Sequence, residues 1–251
     1  MANDFLKFCQ KKELKPSKEA VVSYLSWINV SSKLWYWRVL KKCFEVWNFE
    51  WFSPLEEAKY KPKPPERVSR PVLSLKDFQR LYDSAKETWL KLALRIAAET
   101  GARRLQIVMM CRDHFNPEDG TLYIPPIKRS LDRVEVLSDE LTSMLKQFLE
   151  NRKDRCAQLL VDENGKPLTV EKINSKMASL KKRAYMNIKY LGWHSLRRSW
   201  ATWLYQHDLR ELEIQKLGGW KSIHMVSTYV GLVPSETIKK EIESHPLKRK
   251  R

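Results

Sequence analysis

A basic, proline-rich stretch, Lys59-Tyr60-Lys61-Pro62-Lys63-Pro64-Pro65-Glu66-Arg67, divides this chain in two. Proline offers no backbone donor and locks φ, and the stretch carries almost no core residues, so neither a helix interior nor a sheet runs through it. The fold must be built on either side of it: residues 1–58 as a small domain, 59–71 as an exposed linker and 72–251 as a larger domain. With 251 residues, 43% hydrophobic and 31% charged, the chain can bury one good core and a smaller one, as that division requires.

Hydrophobic spacing sets the fold class. In the first domain Ser17 caps a predicted helix carrying Val21, Val22, Leu25 and Ile28, and Leu34 to Trp47 holds Trp35, Val39, Leu40, Phe44 and Trp47 at roughly helical spacing. So many aromatics suit either a tryptophan-built core or stacking on bases, and both readings stay open. Beyond the linker, Ser74-Leu75-Lys76-Asp77 resembles a capping box, and two helices reach Thr100, where Gly101 stops the second. Thr121–Ile124 and Arg133–Leu137 have strand character around the polar hairpin loop Lys128–Asp132. Leu137, Leu141, Met144, Leu145 and Phe148 return to helical spacing. A short strand at Gln158–Val161, an Asn164-Gly165 turn and a lysine-rich helix from Val170 to Ala184 follow. The expectation is a mainly helical α+β protein: a small helical domain, then a mixed helical domain with one small antiparallel sheet.

Charge points to the partner. Against 30 Asp and Glu stand 47 Lys and Arg, a formal +17 that concentrates polyanions, so nucleic acid is the expected partner. Lys33, Arg38, Lys41, Lys42, Lys61, Lys63, Arg129 and Arg198 are the expected DNA contacts, and the Lys248–Arg251 tail reads as a solvated basic end. A membrane surface would attract the same charge, but there is no run of 18 apolar residues and no apolar signal segment after Met1. The expected location is the cytoplasm, on the nucleoid. Cys9, Cys43, Cys111 and Cys156 form no CxxC pair and the histidines no paired ligand spacing, so neither metal nor cofactor is expected. Asp139-Glu140 and Asp162-Glu163 suit a helix start and a turn better than the clustered carboxylates of a metal-dependent nuclease.

Several residues suit phosphodiester chemistry. Transesterification places negative charge on non-bridging oxygens, which preorganised cationic donors stabilise. Arg103 follows the Thr100-Gly101 helix end, and Arg197 lies one turn after His194 at a helix start, so both can address one phosphate. Tyr229 is a nucleophile candidate, since a phosphotyrosine conserves the energy of the broken bond. The alternative for Tyr229 is simple packing with Ile223 and Val226, and Tyr205 is its rival near Trp200 and Trp203. Lys128 is the acid within reach of a leaving oxygen, though one lysine among many.

Together these residues resemble the tyrosine recombinase (phage integrase) family. Its Thr-Gly-x-Arg-x-x-Glu block is similar to Thr100-Gly101-Ala102-Arg103-Arg104-Leu105-Gln106. Its hairpin lysine, with an arginine five residues later, is similar to Lys128 and Arg133. Its His-x-Leu-Arg block is matched by His194-Ser195-Leu196-Arg197, its Leu-Gly-His/Trp block by Gly218-Gly219-Trp220, and its nucleophile by Tyr229. The resemblance implies the family's catalytic fold, preceded by a DNA-binding helical domain, and a set of six: Arg103, Lys128, His194, Arg197, Trp220 and the nucleophile Tyr229. It also implies metal- and ATP-independent strand exchange through a 3′-phosphotyrosine and a Holliday junction. Its partner would be double-stranded DNA, and the protein would be a monomer or dimer when free and a homotetramer on two DNA sites, with residues 235–247 as a carboxy-terminal helix that either docks into a neighbour or folds onto its own domain. Integration of a mobile element is the expected role; chromosome or plasmid dimer resolution, type IB topoisomerase-like relaxation and a catalytically silent DNA-binding protein are the alternatives. Two departures stand out. Gln106 replaces an acidic residue, so a positioning carboxylate is missing or comes from elsewhere, and Trp220 replaces the commoner histidine and cannot exchange protons.

Overall fold

The computed structural model describes residues 2–30, 32–64, 70–127, 130–224 and 226–227. The chain separates into two compact units, 1–69 and 70–251.

Four helices form the first unit: α1 (Ala2–Lys11), α2 (Lys18–Trp27), α3 (Lys33–Val46) and α4 (Pro54–Tyr60). Ser17 caps α2 through the Ala20 amide as its position predicts, while Ile28 falls just past the helix end. On α3 the inward stripe is Trp37, Leu40 and Phe44, with Trp37, two positions on, in place of the expected Trp35. Trp35 is half-exposed instead, and Trp37 packs on Trp51 and Phe52. Trp47 and Trp51 also lean on this core, whereas Trp27 is 62% exposed. Two helices escaped the sequence reading. In α1, Phe5, Phe8 and Cys9 turn inward at helical spacing. In α4, Ser53 and Glu56 cap each other and Pro54 sits at the first turn, where its missing donor costs nothing. Because α4 runs to Tyr60, the first two residues assigned to the linker are helical.

The second unit is built on α5 (Leu75–Asp83), α6 (Thr88–Thr100), α7 (Arg104–Met109), α8 (Asp139–Glu150), α9 (Val170–Arg183), α10 (Trp193–Gln206) and α11 (Glu211–Leu217). Ser74 and Asp77 form the expected capping box at α5. Helix α6 buries Trp89, Leu92, Ala93, Leu94 and Ile96 all round its axis, because it packs against both α8 and α10. It ends at Gly101, whose φ of +62° favours glycine. A β-carbon there would lie 2.4 Å from the Trp200 ring, so the same glycine lets α6 and α10 close together.

Strands β1 (Phe115–Asn116), β2 (Thr121–Ile124) and β3 (Arg133–Val136) form an antiparallel meander in which Ile124 pairs with Arg133 and Thr121 with Val136. The alternation on β3 runs against hydropathy: Glu135 and the Arg133 side chain are buried while Val134 and Val136 are exposed. The strand expected at 158–161 reduces to isolated bridges, Cys111 with Gln158 and Val161 with Pro167, because the Asn164-Gly165 turn reverses the chain within a few residues. No helix among the described residues is long and apolar enough to cross a membrane. Residues 235–247, the expected carboxy-terminal helix, lie outside the described residues.

Candidate active site

The site gathers at the turn where α6 ends. Arg103 caps the start of α7, and its amide donates to Gln106 Oε1 at 3.0 Å. The fully buried Gln106 also donates from Nε2 to the Pro125 carbonyl at 2.7 Å. An ionised carboxylate could accept the first bond but not donate the second, so an amide fits this position.

Arg197 projects from α10 into the interior with no exposed surface. A buried guanidinium must be hydrogen-bonded to offset its lost hydration. Here Nη1 donates to the Gly101 carbonyl at 2.5 Å and Nη2 to the Gly218 carbonyl at 2.6 Å, while its carbon lies 4.3 Å from the centre of the Trp220 ring. The planar fork thus ties the end of α6 to the end of α11, with an aromatic face against it. Trp220 is buried beside Trp200, whose indole N–H donates to the Glu99 carbonyl. A β-carbon at Gly218 would strike the Trp220 ring.

His194, in the first turn of α10, shares a face with Arg197 but reaches the surface. Partial desolvation, then the charges of Arg104, Arg70, Arg103 and Arg197, hold its pKa below the ordinary histidine value. That shift favours the neutral imidazole. Arg70, Arg104, Lys181 and His194 line a cleft of about 190 Å³. The first three escaped the sequence reading, since nothing in their spacing sets them apart from other cations. A larger cleft of about 660 Å³, lined by Trp89, Phe148, Asp162 and Glu163 among others, includes none of the predicted site residues.

Arg133 and Glu135 add a buried ion pair at 2.7 Å, and Arg133 Nη2 donates to the Thr100 carbonyl at 2.6 Å. Leu131 N–H donates to the Gly219 carbonyl, which ties the β2–β3 loop to the Trp220 turn. Lys128, Arg129 and Tyr229 lie outside the described residues. Val226, three positions before Tyr229, is buried with Trp200, Ile214 and Trp220, and Tyr205 packs half-buried against the same cluster.

Of the expected DNA contacts, Arg38, Lys61 and Lys63 are exposed and Lys33 half-exposed. Lys41 and Lys42 are paired with Glu57 and Glu45. Arg198 is buried, because α10 turns that face inward as well. Cys111, Asp113 and His114 bring one potential ligand atom each within 4.8 Å of one another on a short turn, a grouping that a search for paired cysteines does not find. His114 Nδ1 there already accepts the Cys111 amide.

The chain matches the model of the Phage integrase family over residues 71–236. It belongs to that family, the tyrosine recombinases. It is 28% identical over 185 residues to the integrase of Salmonella phage P22, covering 69% of this chain and 46% of that protein. It is 22% identical over 175 residues to the tyrosine recombinase XerA of Saccharolobus solfataricus, covering 69% and 57%. The chain thus spans about half the length of these curated relatives. Among solved structures, the Tn1549 transposon integrase in complex with transposon right end DNA superposes with a TM-score of 0.70 at 13% identity, covering 91% of this chain and 85% of that one.

Proposed function

We propose that this protein is a site-specific DNA recombinase that cuts and rejoins strands through a 3′-phosphotyrosine, acting as the integrase of a mobile element. The observation that carries the proposal is Arg197, locked between the Gly101 and Gly218 carbonyls and stacked on Trp220, with the charges of Arg197 and Arg103 both acting on His194. A buried, preorganised guanidinium in such a cluster suits the charge that develops on a phosphate in transesterification. Tyr229 would attack the scissile phosphorus, forming the tyrosyl ester as the bond to the 5′ oxygen breaks. Neutral His194 would accept the phenolic proton, Lys128 would protonate the leaving 5′ oxygen, and Arg103, Arg197 and Trp220 would stabilise the pentavalent state. Attack by the 5′ hydroxyl of a second duplex reverses the step, and two rounds pass through a Holliday junction in a tetramer on two sites. The phage integrase, the more similar of the two curated relatives, favours the mobile-element role, while XerA keeps dimer resolution as the alternative.

Covalent trapping tests this. The protein is incubated in EDTA with a random-sequence duplex pool carrying a bridging 5′-phosphorothiolate, and the DNA-linked peptide is mapped by mass spectrometry. Attachment at Tyr229, lost in Tyr229→Phe with DNA affinity retained, is the expected result. Tight binding with no adduct would move the protein to the silent DNA-binding class.

A further inference from the structure

Strand β3 carries an arrangement that stability alone does not explain. A one-residue shift in facing would bury Val134 and Val136 and release Arg133 and Glu135 to water. The fold does the reverse: both valines are exposed, and the ion pair lies inside with each side chain less than a tenth exposed. Burying an ion pair where aliphatic residues stand ready is at best neutral for stability, so its retention calls for another cause.

Its surroundings supply one. The Glu135 carboxylate grips Arg133 Nε and also feels the charge of Arg197, while Arg133 feels that of Arg103. Burial holds the Glu135 carboxyl above its ordinary value, against the opposing pull of Arg133 and Arg197. Among the described residues the other buried acid is Asp162, which pairs with Lys172. Position 106 is a neutral amide with both ends bound. Three arginines therefore converge with Glu135 as their buried counter-charge.

We infer that Glu135 is a positioning residue of the site: paired with Arg133, it holds that guanidinium on the Thr100 carbonyl, steadies the turn from which Arg103 projects, and supplies beside Arg103 and Arg197 the negative charge that Gln106 lacks. Without it, like charges would spread the guanidiniums and the phosphate site would lose its shape, a displacement to which rates are steeply sensitive.

The role of Glu135 in cleavage rests on the recombinase reading, so the test has one arm with DNA and one without. The variants are Glu135→Gln, Glu135→Val and Arg133→Leu/Glu135→Val; the last replaces the whole pair by apolar groups and so keeps a fold that a lone buried arginine would strain. On the phosphorothiolate duplex pool, adduct formation at saturating DNA is expected to slow roughly 10- to 100-fold in all three, with DNA affinity equal or higher. In the double variant this occurs at wild-type melting temperature, which separates positioning from mere support. In the DNA-free arm, the Nε–H resonances of Arg103 and Arg197 are expected to be sharp in the wild type and broadened or shifted in the variants. A double variant that forms adduct at the wild-type rate, or unchanged arginine resonances in Glu135→Val, overturns the inference. Absence of adduct from the wild type, with the resonances broadened in the variants, counts against the recombinase reading and leaves Glu135 as the organiser of the cluster.

Discussion

Arg197 does two jobs with one side chain, joining two segments of backbone and presenting charge, and this makes it sensitive to conservative change. Arg197→Ala would leave the Gly101 and Gly218 carbonyls without their donors, at a cost of about 2–4 kcal/mol, read by chemical denaturation. Arg197→Lys keeps the charge but has no planar fork to span both carbonyls; adduct formation should fall by about 100-fold or more while the chain stays folded. At His194 the sign of the shift is testable by NMR. Its folded pKa is lowered below 6.5, so the stability linked to it is fully present above pH 6.5 and lost as the pH falls through the lowered value. The free protein should titrate at His194 below 6.5, and a bound DNA phosphate, by offsetting the surrounding arginines, should move that titration upward.

Between elements, the polar anchors of α6 decide how it meets α9. Glu87, at the start of α6, accepts from Lys176 at 2.5 Å and pairs with Arg183 at 3.5 Å. Burial opposes its ionisation, but the Lys176 hydrogen bond, its own backbone and both cations outweigh this and take its pKa from 4.5 to about 2. A lowered carboxylate stabilises the fold above its unfolded pKa. The contribution should be whole above pH 4.5 and vanish as the pH falls through about 2. Glu87→Gln should therefore cost on the order of 3 kcal/mol at pH 7, an upper figure, and little near pH 2 in denaturant titrations. The two chain segments that Arg197 joins are themselves set by elements: α6 ends in a left-handed glycine pressed on Trp200, and α11 in a glycine pressed on Trp220.

For the whole molecule, a formal charge of +17 would make binding to the proposed DNA partner a counterion-release process. Affinity should fall linearly with the logarithm of salt, by roughly 10³-fold between about 50 and 200 mM if six phosphates are contacted. Exposed Lys61 and Lys63 should each carry part of that slope, whereas Lys41 and Lys42, which must first leave Glu57 and Glu45, should carry less. Fluorescence anisotropy of alanine variants across a salt series measures the difference.

The sequence by itself determined what depends on local order along the chain. The capping residues Ser17 and Ser74, the stop at Gly101, the β2–β3 hairpin and the α8 and α9 helices follow from spacing and caps, which act within a few residues. Arg103, His194, Arg197 and Trp220 could be singled out as candidates because their motifs are short and ordered. Where α3 points was not legible, since tryptophans flank both candidate stripes and only the facing helices choose Trp37 over Trp35. The tertiary structure alone decided that Gln106 spends both ends of its amide on Arg103 and Pro125, and that Arg70, Arg104 and Lys181 meet beside His194. It also decided that β3 turns its charges inward and its valines out. Those outcomes depend on which groups far apart in the chain come to share a buried space, where a charge is worth more than any local propensity.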